Sequence, residues 1–170
     1  MEGGCTFHVG MSKEVLMRLY LVQHGESKPE EVDPQRGLTD KGRADVRKVA
    51  AFLKPLSLPV KAVWQSGKTR ATQTAEILAP VLTGSPPVVQ HAGIAPMDQV
   101  GPISEEIGRT SDDLMIVGHL PFMGKLVSLL AAGSESADVV AYQQGGVVCL
   151  ERDDKGIWRI RWMVIPDALA

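Results

Sequence analysis

The chain has 170 residues, 44% of them hydrophobic and 22% charged, with a net charge of −2. That size and balance suit one globular domain, which buries roughly 70% of the surface its unfolded chain exposes. Charges of both signs are mixed along the chain, so the basic stripe of a nucleic-acid binder is missing, and no run approaches the roughly 18 apolar residues of a membrane span.

Residues 1–14 show no periodicity and are expected to be a disordered N-terminal extension, with Met11 and Met17 as alternative starts. They lack the apolar core of a signal peptide. The two cysteines, Cys5 and Cys149, are too few for a disulfide framework, and a reduced, cytoplasmic setting is expected. Residues 15–170 are expected to form the folded domain.

Val15 to Gln23 reads as a buried strand, because a short apolar run stops at Gln23, His24 and a glycine. A polar loop follows to Gly37. Asp40 to Lys54 reads as a helix capped by Thr39, with Val46, Val49, Ala50 and Leu53 as its apolar stripe and Pro55 at its end. Val60 to Trp64 is a second strand. Ser66 is placed to cap a helix reaching about Leu82, with Ala71, Ala75 and Leu78 on its inner side. Pro86 to Gln90 suits a third strand, and Pro96 to Arg109 has no clear pattern. Leu114 to Val117 is a buried strand running into Gly118 and His119, and Pro121 suits the first turn of the next helix. Gly145 to Arg152 and Ile157 to Val164 are strand-like, and the Asp153-Asp154-Lys155-Gly156 turn between them predicts a hairpin. Cys149 sits in the first of these strands and reads as a small core residue. The pattern predicts a three-layer α/β/α fold with a mostly parallel central sheet and an antiparallel C-terminal edge.

Three strand ends carry chemistry. Val22-Gln23-His24-Gly25 and Val117-Gly118-His119-Leu120-Pro121 each set a histidine after a β-branched strand, and Gln65 to Glu76 sets Arg70 in the first turns of a helix. In open α/β sheets ligands bind at that edge, and helix N-termini there favour anions. Two imidazoles, a guanidinium and helix amides together suit a phosphate with a nucleophile beside it. Zinc is the rival use of His24, His91 and His119, but no paired cysteines and no His-Glu-x-x-His spacing accompany them. No metal and no cofactor are expected. A Gly-x-x-x-x-Gly-Lys-Ser/Thr loop is absent.

With Gln23-His24-Gly25-Glu26, Arg36-Gly37-Leu38-Thr39-x-Lys41-Gly42, Ser66-Gly67-Lys68-Thr69-Arg70-Ala71-x-Gln73-Thr74-Ala75 and Val117 to Pro121 in this order, the chain resembles the histidine phosphatase superfamily, the phosphoglycerate mutase-like fold. The compact length looks like its small SixA-type phosphohistidine phosphatases. The resemblance implies that His24 becomes phosphorylated and that Arg70 and His119 hold the phosphoryl group. Gly25 then gives a close turn, and Gln23 and Arg36 join the phosphate-binding set. The implied activity is metal-independent hydrolysis of protein phosphohistidine. The alternatives are a small-molecule phosphomonoesterase and a non-catalytic phosphate or phosphoprotein binder. The implied partner is a phosphorylated protein such as a histidine phosphotransfer domain, met by a monomer or weak dimer, with no nucleic acid and no membrane.

Two departures stand out. The family pattern is Arg-His-Gly, and here Gln23 replaces the arginine, supplying neutral hydrogen bonds in place of a charged fork. Arg36 is the better candidate to compensate, ahead of Arg18. A general acid is also weakly marked, with Asp98 and Glu26 as the candidates. A weak acid suits a good leaving group, such as the imidazole of phosphohistidine.

Overall fold

The protein is described here by a computed structural model covering residues 15–170. The expected extension over residues 1–14, with Cys5, lies outside them. The strands are β1 (Val15–Gln23), β2 (Ala62–Gln65), β3 (Val88–Gln90), β4 (Leu114–Gly118), β5 (Val147–Asp153) and β6 (Trp158–Val164). The helices are α1 (Asp40–Leu53), α2 (Thr69–Leu78), α3 (Val100–Gly108) and α4 (Phe122–Ala132). All strands join one sheet in the order β3-β2-β4-β1-β5-β6. The β3-β2, β2-β4 and β4-β1 pairs are parallel, whereas β1-β5 and β5-β6 are antiparallel.

Alternation along the strands makes the layers. Tyr20, Val22, Met115, Val117, Val147 and Cys149 pack on one face with Val46, Val49 and Leu53 of α1 and Ala71, Ala75 and Leu78 of α2. Leu19, Leu21, Ile116, Val148 and Leu150 pack on the other with Ile103 and Ile107 of α3 and Phe122, Leu126 and Val127 of α4. The three-layer arrangement expected from the apolar pattern is therefore the one observed. Among the described residues, no helix is long and apolar enough to cross a membrane.

The structure corrects the sequence reading in two places. The segment after Pro96 contains α3, whose buried Val100, Ile103 and Ile107 follow helical spacing. Arg152 holds the end of that helix, donating to the carbonyls of Gly108 at 2.8 Å and Thr110 at 2.5 Å. A residue distant in sequence thus completes α3, whose apolar stripe is obscured locally by Gly101 and Pro102. In addition, α2 begins at Thr69, later than expected. Its N-cap is Lys68 with no side-chain hydrogen bond, because Ser66 is engaged elsewhere.

The start of α1 presses on the turn that follows β1. Thr39 caps α1 through Gly42 N–H at 2.9 Å and donates to Glu26 Oε1 at 2.7 Å. A Cβ on Gly42 would collide with the Glu26 carbonyl oxygen, and one on Gly25 would lie 2.8 Å from Val46 Cγ2. The two glycines let helix and turn meet backbone to backbone. Gly42→Ala is therefore expected to lower stability by roughly 1–3 kcal/mol through overpacking, although alanine favours a helix interior by about 1 kcal/mol. Urea unfolding measures this; a midpoint equal to or above wild type would refute the close approach.

Candidate active site

Strand register brings the two histidines together. Gln23 of β1 lies beside Gly118 of β4, and Gln65 of β2 beside Val117. The residues that follow leave the sheet at one edge. His24 N–H donates to Gly118 O at 3.0 Å, and the rings of His24 and His119 sit 4.9 Å apart, centroid to centroid. Their exposures are only 7% and 2%, so both lie inside the protein with their edges at the site.

His24 has a defined tautomer. Its Nδ1 is 2.7 Å from the Gly25 carbonyl oxygen. A carbonyl only accepts, so Nδ1 carries the proton and Nε2 keeps its lone pair. Arg70 Nε donates to that Nε2 at 3.2 Å. Burial, opposed by the Gly25 hydrogen bond and reinforced by the charges of Arg70 and Arg36, lowers the His24 pKa from 6.5 to about 4. His24 is thus a neutral imidazole at pH 7 whose unprotonated nitrogen accepts from a guanidinium.

His119 is also neutral. Burial first, then His24 and the cations Arg70, Lys68 and Arg36, bring its pKa down to about 3. Its Nε2 lies 2.5 Å from Ser66 Oγ, and its Nδ1 is buried without a partner. Arg70 is half-buried on the first turn of α2, and burial and the neighbouring Arg36 lower its pKa. Arg36 sits in the left-handed region at φ 50°, with its Nε buried and unpartnered. Gln23 is 8% exposed, and its Oε1 likewise has no partner.

His24, His119 and Arg70 therefore meet, as the strand ends imply, and the charge of Arg36 bears on all three. The candidate acids are occupied elsewhere. Glu26 accepts from the Thr39 hydroxyl, and exposed Asp98 accepts from Ala95 N–H at 2.8 Å. His91 stacks on Trp64 at 4.1 Å and pairs with Glu106 at 3.0 Å. Among the described residues no three His, Cys, Asp or Glu side chains group as a metal site.

Sequence reasoning missed three positioning residues. Ser66 holds His119 where it was expected to cap α2. Thr74 accepts from Gly25 N–H at 3.0 Å and donates to Arg70 O at 2.8 Å, tying the turn at His24 to the arginine's helix. Gln73 accepts from Leu38 N–H at 2.8 Å. Thr74 was detectable, as a polar residue on the same buried helix face as Ala71, Ala75 and Leu78.

The family model described as "Histidine phosphatase superfamily (branch 1)" matches residues 19–99. The chain belongs to the histidine phosphatase superfamily. It is 34% identical over 124 residues to an uncharacterized protein of Picosynechococcus sp., covering 69% of this chain and 74% of that one. It is 23% identical over 155 residues to the phosphohistidine phosphatase SixA of Escherichia coli strain K12, covering 88% and 94%. The solved structure of the protein histidine phosphatase SixA complexed with tungstate superposes with a TM-score of 0.78 at 22% identity, covering 89% of this chain and 99% of that one. The α/β architecture is thus the phosphoglycerate mutase-like fold of this superfamily.

The histidine environment makes a pH prediction. Both folded values, about 4 and about 3, lie below the ordinary 6.5. The unfolded chain therefore binds more protons as pH falls, and this share of stability, complete above about pH 6.5, is lost on the way down through pH 4 to 3. An NMR titration should find His24 still neutral at pH 5.5. A midpoint near 6.5 would contradict its burial.

Proposed function

We propose that the protein is a metal-independent phosphatase that hydrolyses protein phosphohistidine through a phosphoryl group carried on His24. One observation carries the reading: the Gly25 carbonyl holds the His24 proton on Nδ1, leaving Nε2 as a lone-pair nucleophile beside Arg70. A buried, neutral imidazole needs no base to activate it.

Arg70 donates to Nε2. An incoming phosphoryl group offers the guanidinium anionic oxygens, which are stronger acceptors. The arginine then turns to them and Nε2 is uncovered. Nε2 attacks phosphorus in line, and the bond from phosphorus to the substrate nitrogen breaks. That nitrogen keeps the electron pair and takes a proton from solvent. Water then attacks the phosphorus on His24, the bond to Nε2 breaks, and orthophosphate leaves with His24 regenerated. The charges of Arg70 and Arg36 and an N–H of His119 offset the negative charge that builds on the equatorial oxygens.

Two observations favour a phosphoramidate over a sugar ester. Glu26 and Asp98, the marked carboxylates, are committed to Thr39 and Ala95. A substrate imidazole leaves far more readily than an alkoxide and has less need of a positioned acid. The similarity to proteins named for phosphohistidine and to a tungstate complex points the same way.

A second reading, a phosphoprotein-binding module without turnover, rests on Gln23. It places a neutral amide where the family pattern has a charged fork.

Hydrolysis of a phosphohistidine-bearing protein, with metal chelated, tests both. Wild type is expected to turn over and His24→Ala to fall to the uncatalysed rate. Turnover that survives in His24→Ala would remove the covalent mechanism, and faster turnover on sugar phosphates would remove the substrate class. Gln23→Arg is expected to change the rate by less than about tenfold, since Arg36 already supplies charge near His24. If wild type is inactive and Gln23→Arg is active, the binding module is the better reading.

A further inference from the structure

We propose that the cavity beside the nucleophile is a second anion site, so that the leaving group of the substrate carries a further negative charge. This inference rests on the phosphatase reading of His24. The cavity has a volume of about 340 Å³ and lies between the loop after β1 and the turn that starts α2. Arg36 and Glu30 line it from the loop, and Gly67, Lys68, Thr69 and Arg70 from the turn.

Its position follows from Arg70. That side chain reaches His24 Nε2 with its Nε and also forms one wall of the cavity, whereas His24 and His119 are not in the lining. A phosphoryl group on His24 would therefore engage Arg70 at one end. The remaining space is left for what the phosphorus is attached to. The volume is at the small end of ligand sites, which run from about 300 Å³.

The charge in the cavity is not compensated. Three cations face one carboxylate. The ion pairs found among the described residues are elsewhere, at Arg18, Lys41, His91, Arg109, Arg159 and Arg161. Arg36 bears on Arg70 and has no partner on its buried Nε, and its backbone keeps a left-handed conformation that a non-glycine residue uncommonly adopts. The turn is secured by Arg36 N–H on Asp33 O at 2.8 Å and by Gly37 N–H on the Asp33 carboxylate at 2.9 Å. Two arginines suffice for a phosphoryl dianion. Lys68 is the surplus charge. It is exposed, as a helix-cap lysine often is, yet its charge also bears on His119. The uncapped first turn of α2 adds free amide groups at the same wall.

The second anion has two sources with the same chemistry. One is an acidic side chain next to the phosphohistidine of a protein. The other is a further phosphate in a small molecule.

The test uses the full chain as wild type, Lys68→Ala and Lys68→Arg. Two phosphohistidine peptides, one flanked by aspartates and one by alanines, are compared by kcat/KM, and pyrophosphate and orthophosphate binding are measured by calorimetry. Wild type is expected to prefer the acidic peptide. Lys68→Ala should cut that preference roughly three- to fivefold, the effect of one partly exposed charge pair, and Lys68→Arg should restore it. If only the preference for pyrophosphate over orthophosphate falls, the site stands and its source is a phosphate. If turnover persists and neither preference moves, the second site is wrong. If no peptide turns over but pyrophosphate binding still depends on Lys68, the phosphatase reading fails and the anion site survives.

Discussion

Everything at this site hangs on the register of three adjacent parallel strands. β1, β4 and β2 end together, with Gln23 beside Gly118 and Gln65 beside Val117. His24, His119 and Ser66 therefore leave the sheet at the same height, and only then can the two imidazoles stand 4.9 Å apart with Ser66 against one of them. β1 is also fixed from its other side. Gly145 N–H donates to the carbonyls of Gln23 and His24, and Gln23 N–H donates to Gly146 O. A slip of one residue would turn Leu19 and Leu21 to the face of Tyr20 and Val22 and carry His24 out of the site. The two cores that specify the faces thereby specify the chemistry.

Burial then sets the protonation states. An imidazole removed from water holds its proton poorly, and cations close by make the charged form worse still. His24 and His119 are neutral for that reason. The same low-dielectric setting strengthens the pull of Arg70 and Arg36 on an anion. Arg36 and Arg70 repel each other, and an anion between them offsets that repulsion. Held donors, an unprotonated nitrogen and neighbouring positive charge agree with one another.

Gln23 changes this balance without emptying the position. Its amide is buried at the end of β1 with Oε1 unpartnered, and an unsatisfied buried acceptor costs about 1–3 kcal/mol. An arginine would bring a further charge beside two guanidiniums. With glutamine, that repulsion is absent, and Arg36 is the cation near enough to influence His24, His119 and Arg70. The site thus keeps two guanidiniums, with one drawn from the loop after β1.

Much was legible in the chain itself. Short apolar runs defined β1 and β4, because a strand buried on both faces leaves such a run, and the turn from Asp153 to Gly156 marked the hairpin. Thr39 and the stripe from Val46 to Leu53 marked α1. His24, His119 and Arg70 were visible because each follows a strand. What stayed hidden depends mostly on contacts across the chain. α3 carries a helical stripe of Val100, Ile103 and Ile107, but Gly101 and Pro102 in its first turn obscure it, and its end is held by Arg152, more than 40 residues away. Ser66 looked like a cap, since a hydroxyl before a helix serves either use, and only the nearness of His119 decided between them. The His24 tautomer needs the Gly25 carbonyl within 2.7 Å, and the cavity exists only where the loop after β1 meets α2. The sequence by itself determined most of the elements, the faces and the residue types gathered at the site, because periodicity and turn chemistry are local. The tertiary structure alone decided protonation, hydrogen-bond partners and the gathering of Arg36, Lys68 and Arg70 around one cavity, because burial and distance belong to the folded chain.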